Sequence, residues 1–335
     1  MQRKTELDAL LHHSGTTRLD ARAWFRITGE DRVRWLNGMV TNSIQDLQPG
    51  QGNYSFLLNA QGRIQGDVTI FAEAEALLAE TDTAQLDAVM RTLDHYIIMD
   101  DVALEPMPES RRGLLLAGPH SAGLLAALGL GEEAASAAPT RRAVPWQGHS
   151  VELVHAHSPL VPRYELWGEA EVVEALGTAA TAAGAVACSD EALELLRLLE
   201  GTPRFGIDIR DKELPQETGQ TRALHFAKGC YLGQEIVERI RSRGNVHRVF
   251  QGFALQGTLP APGTVLESEG KPVGELTSCA DLPLAGSGLQ LALGYVRREA
   301  LERGSTLAYA GGVARPLSLP YTAARIQPDA TSQHD

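Results

Sequence analysis

Apolar positions along this chain change period several times, and those changes divide it. Val33, Trp35, Leu36 and Met39 recur at helical spacing and predict a short helix over 31–39. Tyr54-Ser-Phe-Leu-Leu-Asn59 and Ile64 to Phe71 read as two strands joined by the turn Ala60-Gln61-Gly62-Arg63, a hairpin. Leu86 to Tyr96 is helical. The Ala-, Gly- and Pro-rich stretch 118–145 reads as a helix with loose flanks, its apolar face being Leu124, Leu125 and Leu128. Val151–Val154 and Tyr164–Trp167 predict strands, followed by an alanine-rich helix near 170–183. Asp190 to Glu200 carries the broad stripe Leu193, Leu195, Leu196, Leu198 and Leu199, with Ser189 placed to cap its start and Gly201 to stop it. Beyond Val249 the pattern becomes short β segments punctuated by glycine and proline, with Glu269-Gly270-Lys271-Pro272 as a turn between two of them. This shift marks a β-barrel-like unit starting near 248. The last residues, from about 328, are polar.

At 335 residues the chain exceeds the size over which one core keeps growing, so more than one domain is expected. Its three cysteines, Cys188, Cys230 and Cys279, are widely spaced and odd in number, which points to a reducing compartment. No signal-like N-terminus and no run of membrane-span length is present, so a soluble cytoplasmic protein is expected. A formal net charge of -12 disfavours a general nucleic-acid or anionic-membrane surface. The window 228–248 runs against that balance, setting Lys228, Arg239, Arg241, Arg243 and Arg248 against only Glu235 and Glu238. Two readings of it stay open: a solvated helix face, or a seat for an anionic ligand held by guanidinium groups.

Templates for dinucleotide binding, phosphate-cradling loops and paired metal ligands are missing, and one cysteine cannot hold a resident iron–sulfur cluster. Two residues remain as candidates for chemistry. Cys230 lies between Gly229 and Gly233 in Lys228-Gly-Cys-Tyr-Leu-Gly-Gln-Glu235, about one turn before a helix that Ile236, Val237 and Ile240 predict and Gly244 ends. The Lys228 ammonium and the positive end of that helix both favour a thiolate; the alternative is a small buried hydrophobe in a tight turn. Asp67 stands inside an apolar strand. Alternation allows it to face solvent or to face a cavity, where a carboxylate accepts protons or hydrogen bonds.

The segment Lys228–Glu235 resembles the signature of the YgfZ family, folate-binding proteins similar to the glycine-cleavage T-protein (aminomethyltransferase) and linked to iron–sulfur protein maturation. Gly201–Asp208, Leu214-Pro-Gln-Glu217, Trp35–Asn42, Leu58–Arg63, Val273–Ser278 and Ala292–Arg297 resemble further family segments, in the same order. The resemblance implies an α+β, three-domain T-protein-like cloverleaf with a C-terminal antiparallel β-barrel around a channel for tetrahydrofolate. Its domains are expected at 1–110 with 190–247 (the folate-binding core), 111–189 and 248–327, with a tail at 328–335. Asp67 falls at or next to the family's aspartate at the folate N5/N10 end, and Tyr54, Asn59 and Arg197 lie on matching segments as pocket candidates. One departure stands out: where T-proteins carry the Thr-Gly-Glu whose glutamate binds the pterin, this chain has His157-Ser-Pro-Leu-Val-Pro-Arg-Tyr-Glu165.

The expected function is therefore a tetrahydrofolate-dependent factor for assembling or repairing iron–sulfur clusters in client enzymes, partnered by those clients or by assembly proteins. Cys230, Asp67 and Lys228 are its expected chemical residues, and Arg239 and Arg241 are expected to attract the folate tail or a protein. Two rivals stand beside it: a folate-dependent aminomethyltransferase or demethylase, and a thiol-based regulatory module.

Overall fold

The computed structural model describes residues 2–108, 110–131, 139–244, 246–284 and 288–325, so the expected tail lies outside the described residues. Three β units surround one helix. The first is a five-stranded antiparallel sheet in the order Gly52–Leu58, Ile64–Ala72, Leu77–Asp82, Arg22–Thr28, Ala103–Pro106. Helices Arg32–Met39 and Leu86–Asp94 cover one of its faces, burying Trp35, Leu36, Val89 and Leu93 against Phe25, Ile27, Val68 and Ile70. The second is a six-stranded sheet in the order Val186–Ala187, Gly15–Arg18, Arg111–Ala117, Arg163–Glu169, His149–Ala156, Thr140–Trp146, antiparallel except for its first pair. Helix Ala170–Ala182 packs on it through Val172, Val173 and Leu176. The third is a closed antiparallel barrel of six strands running from Arg248 to Leu317.

Helix Asp190–Glu200 sits where the three units meet. Ser189 Oγ accepts from the backbone of Ala192, and Gly201 closes the helix at φ 69°, the left-handed geometry glycine adopts cheaply. Its broad stripe exists because it is buried on more than one side. Leu195, Leu196, Leu198 and Leu199 share a cluster with Trp24 and Phe71 of the first sheet, Leu115 and Trp167 of the second, and Leu282, Leu291 and Leu293 of the barrel. A single core therefore ties the lobes together.

Two expectations are corrected. Gly15–Arg18, grouped by sequence order with the folate core, pairs instead with Arg111–Ala117 and Val186–Ala187. The helix expected over 118–145 spans only Ser121–Ala127; residues 132–138 lie outside the described residues, and Thr140–Trp146 is a strand. The Glu269-Gly270 turn forms as expected, both residues having positive φ. Among the described residues no helix is long and apolar enough to cross a membrane.

Candidate functional site

The hairpin Gly52–Leu58/Ile64–Ala72 joins the two regions of chemical interest. Its register pairs Tyr54 with Thr69 and Phe56 with Asp67. Alternation then decides the face: Val68 and Ile70 point to the helices, while Asp67, Thr69 and Phe71 line a cavity between the lobes. Asp67 thus points into a partly open cleft between the lobes and is itself half-buried. The cavity holds about 360 Å³ and is walled by Arg22, Tyr54, Asp67, Thr69, Phe71 and Glu80 of the first sheet, by His157, Arg163 and Glu165 of the second unit, and by helix Asp190–Glu200. A second cavity of about 560 Å³ shares His157, Glu200, Thr202 and Arg222 with it and reaches the barrel at Phe250 and Gln251.

Within the cavity Asp67 is held from two sides. Tyr54 Oη donates to its Oδ2 at 2.6 Å and Gln85 Nε2 to its Oδ1 at 2.6 Å, while the Asp67 N–H donates back to Gln85 Oε1 at 3.2 Å. Burial, followed by the Asp67 charge, pushes the Tyr54 phenol well above its ordinary range, so it stays a donor. The Arg222 guanidinium lies 4.0 Å over the Tyr54 ring. Burial pulls Arg222 down, opposed by the charges of Asp67 and Glu200. His157, whose surface is in part exposed at the cavity mouth, is pushed down to about 4, first by desolvation among the channel walls and then by Arg222 and Arg163, so its imidazole is neutral near pH 7. Glu200, which accepts from Ser158 Oγ, is raised by burial. Glu80, paired with Arg22 at 2.8 Å, is raised as well, chiefly by burial.

The cysteine loop is built at the other end of the same hairpin. Helix Gln234–Arg243 begins at Gly233, whose φ of +82° and close approach to Asn59 O forbid a side chain: a Cβ there would lie 2.6 Å from that carbonyl. The Leu232 N–H donates to Gly38 O and the His225 N–H to Thr41 O. Thr41 Oγ1 donates to Ala223 O at 2.6 Å, and Asn42 Nδ2 to Arg222 O at 2.9 Å. Cys230 is exposed at the crown of this stitched loop, a free thiol.

Lys228 plays a part that the sequence did not indicate. Its Nζ donates to the carbonyls of Asn37, Val40 and Asn42 at 2.7, 2.7 and 2.6 Å, at and beyond the C-terminal end of helix Arg32–Met39. Burial pushes the ammonium down to about 7. The three carbonyls act in the opposite direction, because three acceptors require three protons and a neutral amine has two. Lys228 therefore anchors the loop, and its charge is committed to these carbonyls rather than to the thiol.

The other expected residues separate. Arg197 borders the cavity, but its fork is occupied by Glu194, Asp208, Thr202 O and Ser278 Oγ, tying the central helix to the barrel. Asn59 holds the hairpin turn by accepting from the Gln61 and Arg63 N–H groups, away from the cavity walls. Arg239 and Arg241 lie on the exposed side of their helix, where Arg241 stacks 4.6 Å over Phe226. Neither lines the central cavities; Arg241 reaches the segment leading into the cysteine loop through Phe226. The channel residues missed from sequence are Arg222, Gln85, His157, Glu80 and Glu200. Only His157 stood in a segment whose departure from the family pattern drew notice.

Comparison with known proteins gives this architecture relatives. Residues 2–156 match the GCVT N-terminal domain model, and residues 246–324 match that of the CAF17 C-terminal beta-barrel domain. An aminomethyltransferase T of the glycine cleavage system from Bartonella henselae has the same fold, with a TM-score of 0.83 at 20% identity over 95% of this chain and 89% of that one. An aminomethyltransferase of a Nostoc species is 26% identical over 90% of this chain and 82% of its own length. A putative chloroplastic transferase of Arabidopsis thaliana is 24% identical over 92% of this chain and 71% of its own. The tRNA-modifying protein YgfZ of Yersinia pseudotuberculosis is 30% identical over 74% of both chains. A T-protein-like α/β body, a closed six-stranded C-terminal barrel and this level of identity together place the chain in the YgfZ family.

Proposed function

We propose that this protein is a tetrahydrofolate-binding factor that supports assembly or repair of iron–sulfur clusters in client enzymes, tRNA-modifying enzymes among them. The observation that carries the reading is the shared hairpin: its strands present Tyr54 and Asp67 to the channel, and its turn seats the loop that exposes Cys230. The donor set fits a folate. A reduced pterin offers several N–H donors and a flat apolar face; the walls offer the acceptors Asp67 and Glu200, the amide of Gln85 and the apolar surfaces of Phe71, Leu193 and Leu196. When bound, the folate supplies a carrier for one-carbon units. Asp67, its two oxygens fixed by Tyr54 and Gln85, would accept hydrogen bonds from the reacting end of the bound folate. Cys230 contacts the client's iron or sulfur from outside, and Arg239 and Arg241 steer an acidic client surface towards it. A reducing cytoplasm keeps the thiol free.

The test is complementation. In cells lacking the protein, wild type, Cys230→Ala and Asp67→Asn are compared through the activity of a cluster-dependent tRNA-modifying enzyme. Both variants are expected to fall well short of wild type. Full activity with both would remove the reading, and loss with Cys230→Ala alone would make the protein a thiol module in which folate is incidental.

The similarity to aminomethyltransferases and the position of Asp67 favour a second reading, one-carbon transfer to tetrahydrofolate. Turnover of an aminomethylated lipoyl carrier that survives Cys230→Ala but not Asp67→Asn would establish it.

A further inference from the structure

The two central cavities meet at a waist formed by His157, Glu200, Thr202 and Arg222. The arginines of the first cavity's walls fall into two kinds. Arg18 pairs with Asp20, Arg22 with Glu80, Arg163 with Glu165, Arg197 with Asp208, and Arg204 with Asp82. Arg222 forms no ion pair among the described residues. Its one side-chain hydrogen bond runs from Nε to Gln220 Oε1 at 3.1 Å, and its plane is set by the Tyr54 ring. Among the described residues the terminal amino groups of Arg222, which lines both cavities, have no protein acceptor. Desolvating a guanidinium is costly unless it is paired. The carboxylates nearest in charge are already engaged, Asp67 by Tyr54 and Gln85, and Glu200 by Ser158.

We propose that Arg222 is the receptor for a ligand carboxylate at the waist of the channel. This rests on the channel being the ligand site proposed above and names the group that the ligand brings there. A carboxylate matches the fork in a planar, two-bonded geometry and balances one charge with one. A phosphate dianion would bring two charges to one guanidinium, beside Asp67 and Glu200, the wall carboxylates near Arg222 whose partners are neutral side chains. The neutral His157 adds a hydrogen-bond partner without adding charge. The carboxylate has two sources, the glutamyl tail of a folate or a separate small amino acid entering through the second cavity.

Calorimetric titration of the full-length protein with tetrahydrofolate, with 6-methyltetrahydropterin, which has no carboxylate, and with N-methylglycine separates them. Arg222→Met is expected to weaken one carboxylate-bearing probe about 10- to 100-fold while leaving 6-methyltetrahydropterin within about twofold. Loss on tetrahydrofolate identifies the glutamyl tail; loss on N-methylglycine identifies a second ligand. Arg222→Lys, which keeps the charge and loses the fork, is expected to recover part of the affinity. The proposal is overturned if wild type binds neither carboxylate probe, or if Arg222→Met weakens neither or weakens all three alike. Binding of N-methylglycine through Arg222 with no binding of either pterin would sink the folate reading and leave this one standing.

Discussion

Replacing Lys228 by methionine tests how the cysteine loop is held. The side chain keeps a similar length and apolar stem but loses three donors to the carbonyls of Asn37, Val40 and Asn42. Each charge-assisted bond contributes about 1.5 kcal/mol or more net. Relief of the ammonium's desolvation gives part of that back, leaving a loss of about 3 kcal/mol, which corresponds to roughly a 150-fold change in an opening equilibrium. Because the lysine stitches the loop and not the sheets, this loss should appear as local opening. Native-state hydrogen exchange reads it directly at the amides of His225 and Leu232, which donate to Thr41 O and Gly38 O. Both are expected to exchange on the order of 100-fold faster in the variant, while amides of helix Asp190–Glu200 keep their wild-type rates. Wild-type protection at His225 and Leu232 would refute the anchoring role, and equal acceleration in the central helix would show that the lysine supports the whole fold.

Three further outcomes follow from the same structure. Gly233→Ala forces a Cβ to 2.6 Å from Asn59 O at a positive φ, so thermal denaturation should show a loss of about 1–3 kcal/mol; no loss would mean that the turn relaxes freely. His157, held near 4 when folded against about 6.5 unfolded, binds fewer protons folded than unfolded between those values, so stability falls as pH drops through that window. After discounting for its exposed part, urea titrations at pH 7 and pH 5 should show wild type losing about 1 kcal/mol more than His157→Leu; parallel losses would mean that neither the channel walls nor the two arginines disfavour the imidazolium. Tyr54 is raised when folded, so it should remain protonated as pH passes its ordinary value near 10, and its share of stability is lost only above that point. In an ultraviolet pH titration, wild type minus Tyr54→Phe showing one phenol ionising near 10 in the folded protein would contradict its burial against Asp67.

Much of the secondary structure was legible because local rules govern it. Ser189 and Gly201 bound the central helix, the Gln61-Gly62 turn sets the hairpin, and glycine with proline spaces the barrel strands. The misread stretch, 118–145, is rich in alanine, and that composition gives no signal for the sheet edge that begins at Thr140. The cysteine loop was legible as a motif, because Gly229, Cys230 and Gly233 lie close in sequence and their spacing carries the requirement for a tight turn. The channel was not legible. Tyr54, Asp67, Gln85, His157, Glu200 and Arg222 come from five separate segments, and only packing around helix Asp190–Glu200 brings them together.

Sequence by itself determined the elements, the departure from the T-protein pattern at His157, and the presence of a thiol between two glycines ahead of a helix. Tertiary structure decided which way each charge points. Lys228 and Arg222 lie six residues apart, yet one is spent on three carbonyls and the other is left open over Tyr54. The reason is physical: a long cationic side chain reaches whatever acceptor the fold brings near, and those acceptors, about 190 residues away in the chain, have no local signature.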